Sequence, residues 1–285
     1  MKIDINNEYY PEKLRKIKNP PQKLHILGNI EIINNFGIAI IGSRNCTTYG
    51  ERMTKIFTKK LNKYNLNIIS GMALGIDKYA HLTTIEECGT TIAVLPSGFN
   101  NIYPKENIFL VDKILSSGGT LISEYEPNET ASSSKFLERN RIISGLSDGV
   151  LIVEGGYRSG TSVTARIAKE QYKKIFCVPS SLENSKGLVT NSLIRKGAIL
   201  VRDEKDILEN YEKIEYKKTK KDDEKTQIQN KKYKVLNILN GEMDINEIIN
   251  KSNLKIDEVN YQLTILQLNN LIEQVEGNKY RRIIL

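Results

Sequence analysis

The 285-residue sequence has no tryptophan, two histidines, three cysteines and seven prolines. Cys46, Cys88 and Cys177 are odd in number, far apart and in no CxxC pair, which excludes the spacing of a disulfide framework or a zinc site. His81 has only Asp77 in helical register, too sparse a set for a metal, and His25 reads as structural. No metal and no cofactor are therefore expected. No stretch approaches the ~18 apolar residues that a bilayer span needs. The start, MKIDINNEYY, lacks a basic segment leading into an apolar one, so the expected compartment is the cytoplasm. Neither G-x-G-x-x-G nor G-x-x-x-x-G-K-[ST] occurs, so the dinucleotide and P-loop phosphate cradles are missing too.

What is there is charge and a βα rhythm. A net charge of +8 and a pI near 9.1 favour a polyanionic partner, although lysines kept for solubility would give the same totals. The runs GIAIIGS, NIISG, TIAVLPS, GTLISEY, GVLIVEGG, KIFCVPS and AILVRD alternate with helical stretches between residues 37 and 210. Several are continuously apolar, as strands covered by helices on both faces are. The expected fold is α/β: a Rossmann-like doubly wound parallel sheet with a small C-terminal winged-helix-like domain. Residues 1–36 read as an N-terminal appendage, a helix and an edge piece, and 211–232 as a charged linker. Residues 233–285 show three amphipathic helices and a two-strand wing turned at Gly277-Asn278. The third helix starts acidic (Asp257, Glu258) and the basic residues sit in the wing (Lys279, Arg281, Arg282), so duplex binding and a protein-interaction role both stay open.

Doubly wound sheets bind ligands beyond the carboxyl ends of their strands, and the unusual residues gather there. After the first strand, Gly42, Ser43 and Arg44 lead to Thr47, Thr48 and Gly50, a small-residue turn opening a helix, which suits an anion. After the second, Gly71 and Gly75 permit close backbone approach to a ligand, and Asp77 reads as a helix stabiliser. After the third, a loop carries Phe99 and Tyr103. Lys135, Phe136, Arg139 and Asn140 follow, combining cations with a ring on which a base can stack. Ser159, Gly160 and Thr161 then form a second glycine- and hydroxyl-rich turn at a helix start. In such a sheet Arg44 and Arg139 are expected to converge on one crevice.

These segments, IGSR–TTYG, SGMALGID–AH, VLPSGFNNIYP, FLERNRIISGLSD, VEGG–SGTSVTA and NSLIRKGA, resemble in order the motifs of the DprA/Smf DNA-processing proteins. The resemblance implies a protein without catalytic residues that binds single-stranded DNA in natural transformation and recombination. It also implies a homodimer through the Rossmann domain and delivery of the strand to the recombinase RecA. By position the implied DNA pocket comprises Ser43, Arg44, Lys135, Phe136, Arg139, Asn140, Ser159, Gly160 and Thr161. The sequence departs from the family pattern at Pro179-Ser180 and at Val189, near the family's dimer region.

The main rival is a LOG-like phosphoribohydrolase, which has an Arg-Asn pair followed by P-G-G-x-G-T-x-x-E. Thr164 stands where that glutamate would fall, leaving Glu154 and Glu124 as the carboxylates available for glycosidic hydrolysis. A transcriptional regulator acting through residues 233–285 is a third reading.

Overall fold

The computed structural model describes residues 1–156, 159–212, 214, 234–268, 271–275 and 277–283. The chain divides into two compact units, 1–217 and 218–285.

The first unit is built on a nine-stranded sheet: β1 (Lys2–Asp4), β2 (Lys23–Gly28), β3 (Gly37–Ile41), β4 (Asn67–Ser70), β5 (Thr90–Leu95), β6 (Thr120–Ser123), β7 (Gly149–Ile152), β8 (Lys174–Cys177) and β9 (Ile199–Leu200). Its order is β1-β2-β6-β5-β4-β3-β7-β8-β9. The strands from β6 to β9 are parallel, and β1 and β2 add antiparallel at one edge. All seven β-rich runs of the sequence are strands. The chain winds from β3 out to β6, then returns to β7 on the other side of β3, so the order reverses between β3 and β7. A crevice opens at such a reversal beyond the carboxyl ends of the strands.

The main helices are α1 (Glu12–Arg15), α2 (Thr48–Leu61), α3 (Ile76–Glu86), α4 (Phe109–Ser116), α5 (Ser133–Leu146), α6 (Gly160–Glu170), α7 (Leu188–Arg195) and α8 (Lys205–Leu208). They cover both faces of the sheet. All five residues of β3 are buried, and they alternate between cores: Ala39 and Ile41 pack with Ile142, Ile143 and Ala165, whereas Ile38 and Ile40 pack with Phe57 and Leu61. Period-2 side-chain direction puts successive residues on opposite faces, so burial on both sides requires the unbroken apolar run.

Residues 1–36 supply two of the nine strands. Leu24 and Ile26 of β2 and Tyr10 and Leu14 beside it are buried in the same core as Ile122 and Ile142. The Tyr10 hydroxyl donates to the Pro21 carbonyl at 2.7 Å. The charged linker read at 211–232 lies, apart from 211, 212 and 214, outside the described residues. Tyr211 belongs to the core: its ring meets Phe36 edge-on at 4.8 Å and its hydroxyl donates to the Asp148 carbonyl.

The second unit contains α9 (Lys234–Ile238), α10 (Ile245–Ser252), α11 (Ile256–Leu268) and a three-stranded sheet, β10 (Met243–Asp244), β12 (Lys279–Arg282), β11 (Ile272–Gln274) in that spatial order. Gly277 turns the wing with φ of 73°. Val235, Ile248, Val259, Leu263 and Leu266 form a core of its own. In the wing Arg281 is tied to Glu273 and Glu242, while Lys279 and Arg282 are exposed.

Because Leu24 is fully buried in the shared core, Leu24→Ala should cost about 2–5 kcal/mol of the first unit's stability. Urea denaturation checks this; a shift below about 1 kcal/mol would mean that residues 1–36 only rest against the sheet.

Candidate nucleic-acid interface

A cleft of about 780 Å³ lies beyond the carboxyl ends of β3 and β7. Gly42, Ser43 and Arg44 after β3, Phe136, Arg139 and Asn140 on α5, and Ser159, Gly160 and Thr161 opening α6 all line it. Eight of the nine candidate residues therefore meet in one place. Lys135 does not: its ammonium is held by Glu129 Oε2 at 2.9 Å and the Thr130 carbonyl at 2.8 Å, over the Tyr125 ring. Successive helical residues point about 100° apart, so a cleft-facing Phe136 sends its neighbour elsewhere.

The two arginines converge but do different things. The exposed Arg44 guanidinium lies 4.5 Å from the centroid of the Phe136 ring, with Arg139 at 6.0 Å from the same ring. Tyr103, half exposed, meets Phe136 edge-on at 5.6 Å and joins the cleft wall. Arg139, by contrast, is only 3% exposed. Its Nη1 donates to the carbonyls of Gly71 at 2.5 Å and Val94 at 2.6 Å, at the ends of β4 and β5. Burial pulls its pKa down to about 10, and the nearby Asp77 carboxylate works against that pull. Asp77 is itself buried; desolvation raises its pKa, Arg139 lowers it, and its Oδ2 accepts from Gly71 N–H. A side chain at Gly71 would collide with the Arg139 guanidinium, its Cβ falling 1.9 Å from Nη1. The glycine read as admitting a ligand thus admits the protein's own arginine.

The two helix starts also differ. At α2 the Thr47 N–H and hydroxyl both donate to the fully buried Glu154 carboxylate, at 2.9 and 2.6 Å, and Asn184 adds a third donor at 3.2 Å. A Cβ on Gly50 would lie 2.3 Å from that carboxylate. The sequence suggests an anion site at this turn, and the anion is Glu154, so no phosphate is needed there. Among the described residues, no side chain caps α6, no acid stands in its first turn, and nothing crowds Gly160. Ser159 Oγ is buried without a hydrogen-bond partner among the described residues. That start lines the cleft, and a helix start of this kind suits an anion. Ser43, half-buried, accepts from Ile76 N–H through its carbonyl, which fixes the turn before Arg44.

The carboxylates considered for hydrolysis are engaged elsewhere. Glu154 is enclosed as described, and Glu124 chelates Arg141 at 2.7 and 2.9 Å. Thr164 is buried, its hydroxyl donating to the Gly160 carbonyl. Asp77 is the one carboxylate among the described cleft-lining residues. His81 is fully buried, its Nδ1 at 2.7 Å from the Thr91 hydroxyl, and burial followed by the charge of Arg139 lowers its pKa to about 3. Lys186 and Asn45 also line the cleft, and the sequence reading passed over both. The strand-end rule would have found Lys186, which follows β8.

A family model described as DNA recombination-mediator protein A matches residues 2–212. This chain belongs to the DNA recombination-mediator protein A family. Protein Smf of Escherichia coli (strain K12) is 40% identical over 208 residues, 73% of this chain and 56% of that protein, so the match spans little more than half of that relative. The structure of DNA processing protein A from Streptococcus pneumoniae superimposes with a TM-score of 0.71 at 34% identity, covering 75% of each chain. The structure of the Helicobacter pylori DNA processing protein A, which concerns its single-stranded DNA binding mode, gives 0.67 at 31% identity over 74% of this chain and 98% of that one. The family match ends at residue 212, within the first unit and before residues 233–285. Of the family departures, Val189 is buried against Gly155 and Ser180 accepts from Asn184 Nδ2 at 2.9 Å.

Arg139→Ala leaves two strand-end carbonyls and Asp77 uncompensated in a buried site, so it should lower stability by about 3 kcal/mol, whereas Arg44→Ala should change it by less than about 1 kcal/mol. Thermal melts of the two variants separate these roles; equal shifts would mean that the arginines are equivalent.

Proposed function

We propose that this protein binds single-stranded DNA in the cleft above β3 and β7, protects the incoming strand, and helps load RecA onto it during natural transformation and recombination, without chemistry of its own. The observation that carries the reading is the Arg44 guanidinium laid over the Phe136 ring beside the uncapped start of α6. Rings and guanidinium planes accept stacked bases, and a helix start with an arginine grips phosphate without regard to sequence. A base reaches Phe136 only when unstacked from its neighbours, which favours a single strand. Membership of the recombination-mediator family and the single-strand binding mode described for the H. pylori relative support the same reading. The cytoplasm is the fitting compartment; among the described residues no helix is long and apolar enough to cross a membrane.

On this reading the pocket comprises Ser43, Arg44, Phe136, Arg139, Asn140, Ser159, Gly160 and Thr161, with Arg139 acting by holding α5 in place. Lys186 and Tyr103 extend it, and Lys135 supports the flank. The hydrolase reading would fall to Asp77, so release of base from nucleoside monophosphates, abolished in Asp77→Asn, is the result that would revive it.

A homodimer through the first unit fits the hollow of about 680 Å³ between α6 and α7, where half-exposed Leu188 stands beside Ala165, Leu193 and Ala198 and five cations, Arg166, Lys169, Lys173, Lys174 and Lys196, also line the wall. Light scattering should give twice the chain mass at micromolar concentration, and Leu188→Glu should shift it toward the monomer; a monomeric parent would refute the dimer.

Anisotropy titrations test the main proposal. The protein should prefer a single strand to a duplex of equal length by tenfold or more. Arg44→Ala and Phe136→Ala should each weaken binding by about 1–3 kcal/mol while melting near the parent temperature. Arg44→Lys should restore only part of the loss, since lysine lacks the planar fork. Equal affinity for duplex would overturn the proposal.

A further inference from the structure

Leu137 on α5 lines the cleft on one side and a second groove on the other. This groove, of about 520 Å³, runs along α5 to the far end of α6, past Arg141, Lys18, Lys169 and Tyr172. It continues into a hollow of about 440 Å³ that also takes in Lys13 and Lys16. From Phe136 to Arg141 the helix rises ~7.5 Å, about one nucleotide step of an extended strand.

Several of the charges here are already engaged. Lys13 pairs with Asp148 at 2.6 Å, Arg141 with Glu124 at 2.7 Å, and Lys173 donates to the Ser147 carbonyl. Glu170, the acid lining both hollows, sits 3.9 Å from Arg166. Lys16, Lys18 and Lys169 remain, all exposed and with no ion pair among the described residues.

Tyr172 ends α6 with φ of 57° and is 97% exposed. Helices that close in this left-handed conformation usually place glycine or asparagine there. A tyrosine at the position adds backbone strain and contributes no packing. The fold alone gives no reason for the ring.

Building on the single-strand reading of the cleft, we propose that this groove carries the continuation of the same strand. Lys16, Lys18 and Lys169 meet its phosphates, and the Tyr172 ring stacks a base. The combination of a cationic groove, an exposed ring and physical continuity with the cleft is that of a single-strand track.

The test uses the full chain and two oligothymidylates, of about 5 and about 15 nucleotides, under conditions of one protein per strand. The parent should bind the longer strand at least tenfold more tightly. Lys16→Ala/Lys18→Ala/Lys169→Ala should lose about fivefold or more on the longer strand only, with a log–log salt slope shallower by ~2 for three phosphates released. Tyr172→Gly should lose about threefold on the longer strand, yet melt at the parent temperature or above, because glycine relieves the strained position. Parent-like binding of the longer strand by both variants overturns the groove while leaving the cleft intact. Equal weakening on both strands also overturns it, since the lysines then act as diffuse charge. If the parent binds neither strand, the cleft reading fails and the groove with it.

Discussion

The buried guanidinium of Arg139 is the constraint on which the site depends. Strand ends leave carbonyls that need donors, and burying those ends without partners costs free energy. Arg139 reaches from α5 to satisfy Gly71 and Val94 at adjacent strand ends, and Asp77 offsets its charge. A buried charge is tolerated only when paired and hydrogen-bonded, so the helix has one depth and one rotation at which this works. Phe136, three residues earlier on the same helix face, is then placed over the reversal point between β3 and β7. Arg44, on the turn after β3, then rests on its ring.

A second internal charge makes the cleft asymmetric. Two helices, α2 and α6, start near this edge of the sheet with similar turns of glycine and hydroxyl residues. Glu154, coming off β7, occupies the donors of the first, and the second is left open. On the proposed reading, an external anion meets the start of α6 in a cleft that Arg44 and Lys186 also line. Glu154 also ties the α2 turn to Asn184, so the loops after β3, β7 and β8 share one carboxylate.

The architecture was legible in the sequence because apolar continuity is a local signal: GIAII and GVLIV can only be buried on both faces. The place where the candidate residues gather was legible for the same reason, since strand ends fix where a doubly wound sheet opens. The division of labour inside it was not. Arg44 and Arg139 are the same residue type near the same edge, and what separates them is a pair of carbonyls from two strands distant in sequence. Gly71 is legible as a place of close approach, but sequence does not say whether the approaching group is a ligand or a side chain of the same chain. Lys135 looked like a partner for Phe136 until Glu129, six residues away, took its ammonium.

The same lesson governs charge. A total of +8 says little, because many of the cations are spent internally: Arg139 on carbonyls, Arg141 on Glu124, Arg281 of the wing on Glu242 and Glu273. A cation already desolvated and paired has little left to offer a phosphate, since counterion release requires a charge that was free beforehand. Arg44 and Lys186 at the cleft, and Lys16, Lys18 and Lys169 beyond Leu137, have no ion pair among the described residues. On the proposed reading, a bound strand follows the map of these uncommitted charges, which runs from the start of α6 along the surface of α5 and α6.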